Sequence, residues 1–267
     1  MRWLPCDLII FDCDSTLSLV EGIDELARLT GQESEIAALT KRAMDGDIPL
    51  ESVYEHRMIT VMPTRAQMRA IKKSYRDHVV PDALQVIAAL QALGKKVFIV
   101  SGGLRDAVLD FGEWLGVPRA NIYAVSIAYN QLSGEWWHYH KRNDAETYLG
   151  IEDDTLAASG GKIEVIKEIR SQHKGRAMLI GDGLSDLEAR GAVDLFVGFG
   201  GAVRRARVQS DADVFIATPH LSPILPLSVS RPNLDSDLMR DGLKRVKDGE
   251  VMFRDCEVEE AFLKSHH

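Results

Sequence analysis

The 267-residue chain lacks the features that mark several classes of protein. Its three cysteines, Cys6, Cys13 and Cys256, do not have the paired spacing of disulfide frameworks and zinc sites. No apolar run approaches the roughly 20 residues of a membrane-spanning helix, and Pro5 and Asp7 interrupt the apolar segment that a secretory signal requires. The net charge of −8 argues against general binding to nucleic acid or to an anionic membrane. We therefore expect a soluble, cytoplasmic protein with reduced thiols.

The order of apolar patterns along the chain predicts the fold class. The apolar run 8–11 predicts a strand buried on both faces of a sheet, and four helical patterns follow it within residues 19–78. The last of these begins with a capping box between Thr64 and Gln67. From Pro81 onwards short apolar runs alternate with helical patterns, which is typical of βαβ units. We predict an α/β fold: a Rossmann-like, mostly parallel sheet with a small helical cap inserted after the first strand.

These patterns also suggest domain boundaries. The predicted units are an α/β core of residues 1–18 and 79–218, a helical cap of residues 19–78, and a C-terminal extension of residues 219–267. Within the core, residues 127–138 predict a hairpin that turns at Ser133 and Gly134, with Trp136 and Trp137 as packing or interface residues. Residues 139–158 are polar and acidic and have no assigned structure. In the extension we expect a linker and then an amphipathic helix from about residue 234.

Two aspartates follow the first predicted strand directly. In open parallel sheets, ligands bind beyond the carboxyl ends of the strands, which is where Asp12 and Asp14 fall. Two neighbouring carboxylates repel each other, so the pair favours a bound cation or a shared proton. On this segment alone, solvated carboxylates at a strand end are the competing interpretation.

Further polar groups follow other predicted strands or begin helices, and a parallel sheet would bring them to one crevice. Asp12, Asp14 and Asp182 offer oxygen ligands suited to Mg²⁺. A hydroxyl and backbone N–H groups at 101–103, together with Lys162, suit the binding of a phosphate. Separately, the glycine-rich segment can be a simple turn and the lysine a solvated helix residue. Together the groups indicate phosphoryl transfer, in which positioning and charge stabilisation dominate.

Four short motifs resemble those of the haloacid dehalogenase superfamily, and within it the chain is most similar to the phosphoserine phosphatases. The motifs are Asp12-Cys13-Asp14-Ser15-Thr16, Ser101-Gly102-Gly103, Ser159-Gly160-Gly161-Lys162 and Gly181-Asp182-Gly183-Leu184-Ser185-Asp186. The resemblance extends to Glu21-Gly22-Ile23-Asp24-Glu25-Leu26-Ala27, Arg42-Ala43-Met44, Arg57 and Gly198-Phe199-Gly200-Gly201. It runs from about residue 8 to residue 218, in the family's order.

The resemblance implies a magnesium-dependent phosphomonoesterase that hydrolyses O-phosphoserine. By the resemblance, Asp12 is the nucleophile that forms a phospho-aspartyl intermediate, and Asp14 is the general acid and then the general base. Mg²⁺ would be held by Asp12, the backbone carbonyl of Asp14, and Asp182, with Asp186 in support. Ser101, Gly102, Gly103 and Lys162 would bind the phosphate.

The resemblance also implies residues that recognise the rest of the substrate. These are Glu21 for the ammonium group, Arg57 for the carboxylate, and Met44 and Ser185 as further contacts. The cap would close over the site and exclude water. Without the resemblance, the favoured interpretations are a charge at a helix N-terminus for Glu21 and a surface ion pair for Arg57.

The chain departs from the family pattern in places that leave other functions open. Ser185 stands where asparagine or threonine is common, residues 139–158 are longer than expected, and residues 219–267 lie outside the resemblance. Arg205 occupies a position that the family uses, although a solvated helix face is an equal alternative. The competing functions are a phosphatase or phosphotransferase for another small phosphometabolite, and a non-catalytic protein that binds a phosphorylated ligand.

Overall fold

The computed structural model describes residues 3–44, 50–133, 137–138, 144–152 and 155–266. The strands are β1 (Leu8–Phe11), β2 (Lys96–Leu104), β3 (Ile122–Val125), β4 (Ile127–Tyr129), β5 (Tyr148–Ile151), β6 (Ala177–Gly181), β7 (Leu195–Phe199), β8 (Val214–Ile216) and β9 (Val251–Phe253). The α-helices are α1 (Gly22–Thr30), α2 (Glu33–Met44), α3 (Leu50–Val61), α4 (Arg65–Asp77), α5 (Ala83–Ala92), α6 (Arg105–Trp114), α7 (Gly161–Gln172), α8 (Leu184–Glu188), α9 (Ala206–Asp211), α10 (Ile224–Leu227), α11 (Asp237–Lys247) and α12 (Cys256–Ser265). Among these described residues, no helix combines the length and apolar character needed to cross a membrane.

The main sheet has β1 near its centre. The strand order is β3-β2-β1-β6-β7-β8-β9, and every neighbouring pair is parallel except β8 and β9. Ile9 and Phe11 pack in one core cluster and Leu8 and Ile10 in another, because alternate side chains of a strand point to opposite faces. Helices α5 and α6 contribute to the first cluster and α7 to the second. The predicted α/β fold with a mostly parallel sheet is confirmed.

Helices α1–α4 lie between β1 and α5, where the sequence predicted a helical insertion. At the start of α4, the Thr64 hydroxyl accepts a hydrogen bond from the Gln67 N–H, and the Gln67 side chain accepts one from the Thr64 N–H. The predicted capping box is therefore present. The buried side chains of Leu26, Ile71 and Tyr75 join the same core cluster that covers one face of the sheet. The division of the chain into core, cap and extension stays a prediction.

The prediction of a hairpin within residues 127–138 was wrong about the partner strand. β4 pairs antiparallel with β5, which lies in the stretch that had no assigned structure. Gly134 and Trp136 lie outside the described residues, and Trp137 is largely exposed. The local turn signal indicated that the chain reverses, but it could not identify a partner strand beyond a polar stretch.

The C-terminal extension completes the sheet instead of acting as a linker. β9 pairs with β8 and covers an edge that would otherwise present unpaired backbone groups. The predicted amphipathic helix begins at Asp237 as α11, and β9 and α12 follow it. The carboxylate of Asp82, just after the helical insertion, accepts hydrogen bonds from the N–H groups of Leu221 and Ser222, each 2.8 Å long. The extension is thus tied to the start of α5.

Candidate active site

A cavity of about 450 Å³ lies where the carboxyl ends of β1, β2 and β6 meet the helical insertion. Its lining includes these residues predicted from the sequence: Asp12, Asp14, Glu21, Arg57, Ser101, Gly102, Gly103, Lys162, Asp182 and Ser185. Asp186 lies behind this wall and is fully buried. The side chain of Met44, a predicted substrate contact, lies outside the described residues. Parallel strand topology has brought together groups up to 174 positions apart, from Asp12 to Asp186.

Three buried carboxylates form an acidic cluster at the base of the cavity. Ligand oxygens of Asp12, Asp182 and Asp186 lie within 4.8 Å of one another. Burial, followed by the charges of Asp12 and Asp186, raises the pKa of Asp182 to about 8. Burial and then the charge of Asp12 raise the pKa of Asp186 to about 7. Such a cluster carries unfavourable negative charge that a hard divalent cation would relieve, and carboxylates are the ligands that Mg²⁺ prefers. The donor set therefore fits a divalent metal ion.

Lys162 bridges two members of this cluster from the first turn of α7. Its Nζ lies 3.0 Å from Asp12 Oδ1 and 2.6 Å from Asp186 Oδ1. Burial alone would lower the pKa of Lys162, but the charges of Asp12 and Asp186 raise it, so the ammonium stays charged. The other oxygen of Asp186 accepts a hydrogen bond from the Gly183 N–H at 3.1 Å. Asp186 thus positions the lysine, and the lysine places its charge beside Asp12.

Asp14 is held by groups from the helical insertion. Its Oδ1 accepts a hydrogen bond of 2.8 Å from the Gly22 N–H and one of 2.5 Å from the Tyr75 hydroxyl. Burial, followed by the negative charge of Glu21, raises the pKa of Asp14 to about 7. A carboxyl group with such a pKa can both donate and accept a proton near neutral pH. Tyr75 was missed by sequence reasoning, because a tyrosine on the apolar face of an amphipathic helix is typical of core packing.

The segment 101–103 forms the wall beside Asp14. It belongs to β2, which continues to Leu104 with an irregularity in its pairing to β3. Ser101 is 1% exposed, and its Oγ accepts a hydrogen bond of 3.0 Å from the Gly103 N–H. A Cβ atom at Gly103 would collide with Asp14 Oδ2, so glycine is required for this close approach.

The opposite side of the cavity carries both signs of charge. Glu21 Oε1 accepts hydrogen bonds from Ser15 Oγ at 3.1 Å and from the Arg205 guanidinium at 3.2 Å. Burial lowers the pKa of Arg57, and the charges of Glu21 and Asp24 oppose that change. Arg205 also donates from Nε to Asp182 Oδ2 at 3.0 Å. Arg205 was noted in the sequence but not included among the predicted site residues, and it links the acidic cluster to Glu21.

Comparisons with known proteins identify the family. A family model described as a haloacid dehalogenase-like hydrolase matches residues 6–194. The phosphoserine phosphatase of Homo sapiens is 34% identical over 212 residues, which cover 79% of this chain and 88% of that protein. The chain belongs to the phosphoserine phosphatase family of haloacid dehalogenase-like hydrolases. This membership confirms the predicted family and the enzyme class, a phosphoric monoester hydrolase.

Solved structures share the fold of this phosphatase. A substrate-bound phosphoserine phosphatase complex matches with a TM-score of 0.67 and 26% identity, over 83% of this chain and 98% of that one. DsGPDH of Dunaliella salina matches with a TM-score of 0.69 and 28% identity over 85% of this chain. The match covers 37% of the Dunaliella salina chain. The match to the phosphoserine phosphatase, in contrast, extends over nearly the whole length of that chain.

Proposed function

We propose that this phosphatase hydrolyses O-phosphoserine to serine and phosphate. The observation that carries the proposal is a carboxylate, Glu21, and a guanidinium, Arg57, in the same cavity as Asp12. Phosphoserine carries an ammonium and a carboxylate beside its phosphate, and these charges are complementary to the two side chains. Arginine suits the carboxylate because its planar fork can donate two parallel hydrogen bonds. A phosphate ester that carries neither charge would make neither contact.

In the proposed reaction Asp12 attacks phosphorus and Asp14 moves the proton. A carboxylate oxygen of Asp12 forms a bond to phosphorus while the bond from phosphorus to the serine oxygen breaks. Asp14 donates its proton to the departing serine oxygen and then accepts a proton from the water that hydrolyses the phospho-aspartate. The pKa of Asp14, raised to about 7, supports both directions of transfer.

Ser101, the glycines beside it and Lys162 are proposed to bind the phosphoryl group. Lys162 already lies 3.0 Å from an oxygen of Asp12, so its charge stands beside the attacking group. Its second partner, Asp186, keeps the lysine from turning away. A fixed positive charge here stabilises negative charge on the phosphoryl oxygens in the transition state.

The acidic cluster is proposed to hold Mg²⁺ through Asp12, Asp182 and the backbone carbonyl of Asp14. The support is the set of buried carboxylate oxygens within 4.8 Å of one another, together with the raised pKa values of Asp182 and Asp186. When bound, the ion supplies positive charge for the phosphoryl oxygens. Helices α1–α4 are proposed as the cap that limits the access of water. The cytoplasmic location and the absence of nucleic-acid and membrane partners stay predictions.

The proposal is tested by phosphate release from phosphoserine, phosphoethanolamine and sugar phosphates in the presence of Mg²⁺. Phosphoserine should be hydrolysed with the highest kcat/KM. Arg57→Lys should raise KM for phosphoserine about 10-fold and change KM for phosphoethanolamine little, because the latter lacks a carboxylate. Arg28→Lys, on the exposed side of α1 with a side chain 59% exposed, is the matched control and should change neither.

Two outcomes would contradict the proposal. Preferred hydrolysis of a sugar phosphate, with none of phosphoserine, would assign another substrate. Transfer of the phosphoryl group to an added alcohol in preference to water would identify a phosphotransferase.

A further inference from the structure

We propose that Tyr75 is a positioning residue that, with the N–H of Gly22, fixes Asp14 so that its Oδ2 carries the transferred proton. This inference rests on the proposed function of Asp14 as general acid and base. It assigns the proton to one of two oxygens that are chemically identical in an isolated carboxylate. It also gives Tyr75 a role in catalysis beyond its packing in the core.

The two hydrogen bonds to Asp14 converge on a single oxygen. The Tyr75 hydroxyl donates to Oδ1 at 2.5 Å, and the Gly22 N–H donates to the same atom at 2.8 Å. An oxygen that accepts two donors is the poorer place for a proton, because a proton there would meet the hydrogens that already point at it. The proton of the neutral acid is therefore directed to Oδ2.

Oδ2 lies on the side of the cavity proposed to bind phosphate. A Cβ atom at Gly103 would collide with Oδ2 and would stand 3.1 Å from the Oγ of Ser101. The absence of that Cβ is what allows Oδ2 to rest against the segment 101–103. The oxygen available for the proton is thus the one that faces the segment proposed to bind the phosphoryl group.

Tyr75 has little freedom to move away from this position. Its side chain is fully buried in α4, and its ring packs against Phe111 with 5.5 Å between the centroids. A Cβ atom at Gly22 would collide with the Tyr75 hydroxyl, so the first residue of α1 must be glycine for the contact to exist. Both donors come from the helical insertion, whereas Asp14 follows β1. The insertion therefore orients the proton-transfer group of the sheet.

Tyr75→Phe removes the hydroxyl and keeps the ring. We expect kcat for phosphoserine to fall about 10-fold, the size of one hydrogen bond to a charged group, with KM changed less than about twofold. The second substrate is p-nitrophenyl phosphate, whose leaving group departs as a stable anion and needs no proton. In a single turnover, p-nitrophenolate release should therefore be nearly unchanged. A merely structural role of Tyr75 would slow both reactions alike.

The matched control is Tyr129→Phe. The Tyr129 hydroxyl donates to Asp106 Oδ2 at 3.1 Å, and neither residue lines the cavity. Its removal should leave both reactions unchanged. Thermal unfolding of each variant checks that the fold is retained.

Gly22→Ala disturbs the same contact from the other side. Its new Cβ should displace the Tyr75 hydroxyl and lower kcat for phosphoserine. In the Tyr75→Phe background the obstructing hydroxyl is absent, so the alanine should cost much less. A double-mutant cycle should accordingly be strongly non-additive.

The proposal would be overturned by an unchanged kcat of Tyr75→Phe, by equal losses with both substrates, or by an additive cycle. Failure of the unmodified enzyme to hydrolyse phosphoserine would instead contradict the proposed function. In that case the alkyl phosphate that is hydrolysed fastest replaces phosphoserine in the comparison with p-nitrophenyl phosphate. The outcomes for Tyr75→Phe then support or overturn the proposal in the same way.

Discussion

The buried carboxylate of Asp182 should make the stability of the metal-free protein fall as pH rises. The ordinary pKa of an aspartate in an unfolded chain is 3.8, and burial followed by the charges of Asp12 and Asp186 raises it to about 8 in the folded protein. Between these values the folded protein holds a proton that the unfolded chain has released. The free energy of unfolding therefore decreases from about pH 4 to about pH 8, because the unfolded state binds fewer protons.

The upper limit of the effect follows from the change in pKa. Raising the pKa from 3.8 to about 8 corresponds to about 6 kcal/mol, at about 1.4 kcal/mol for each tenfold change. Asp182 is only 3% exposed, so solvent screens it weakly. Rotation of the ionised side chain and entry of water relieve part of this cost, and we expect about half of it, roughly 3 kcal/mol.

Urea unfolding in the presence of EDTA, from about pH 5 to about pH 8, measures this effect. Asp182→Asn is neutral at every pH, so its stability should exceed that of the unmodified protein increasingly as pH rises. Asp237→Asn, at a side chain that is 93% exposed, is the control and should produce no such trend.

Added Mg²⁺ should make the unmodified protein more stable than Asp182→Asn, the reverse of the order expected in EDTA. It should stabilise the unmodified protein more at about pH 8 than at about pH 5, since the ligands must be deprotonated, and should stabilise Asp182→Asn little. A difference between the two proteins that stays constant or shrinks with rising pH would refute the reasoning. It would mean that Asp182 is ionised throughout this pH range and that Arg205 compensates its charge fully.

Three further predictions concern the nucleophile and two structural contacts. Asp12→Asn should lower phosphate release at least about 1,000-fold while calorimetry still detects phosphoserine binding; near-normal turnover would exclude the proposed nucleophile. Arg65→Ala removes an ion pair with Glu146 and a stacking contact with Tyr129, whose ring centre lies 4.0 Å from the guanidinium carbon. Hydrogen exchange at the backbone amides of β5 should therefore accelerate. Unchanged exchange would show that these contacts do not hold β4 and β5 against α4. Asp82→Ala should lower the free energy of unfolding, measured by urea denaturation, by about 2–4 kcal/mol, because two buried N–H groups lose their acceptor. A loss below about 0.5 kcal/mol would contradict that explanation.

Much of the fold could be predicted from local patterns. The strand 8–11 is fully buried and continuous in its apolar character, and such runs alternate with helical spacing along the core. Because parallel strand ends share one edge, the motifs at the carboxyl ends of β1, β2 and β6 could be assigned to one site from the sequence. Local chemistry was also sufficient for the N-terminus of α4, where Thr64 and Gln67 satisfy each other's backbone groups.

The missed features depend on contacts between distant segments. β9 pairs with β8 across about 35 residues, and an apolar run of three residues is too short to identify a strand without its partner. β5 was not predicted either, because it is a short run within a polar stretch and its partner β4 is identified only by the fold. Arg205 stands in an arginine-rich stretch that is typical of a solvated helix face. Only the fold brings its guanidinium to Asp182 and Glu21.

The sequence by itself determined the carboxylates, the lysine and the glycine-rich segment of the candidate site, because these groups sit at strand ends and helix starts that local patterns reveal. The tertiary structure alone decided how these groups act on one another. The two oxygens of Asp14 become different only when Gly22, Tyr75 and Gly103 approach them from separate elements. Burial within the folded chain likewise raises the pKa values of Asp182 and Asp186. Hydrogen-bond direction and desolvation are properties of three-dimensional neighbours, and no local spacing encodes them.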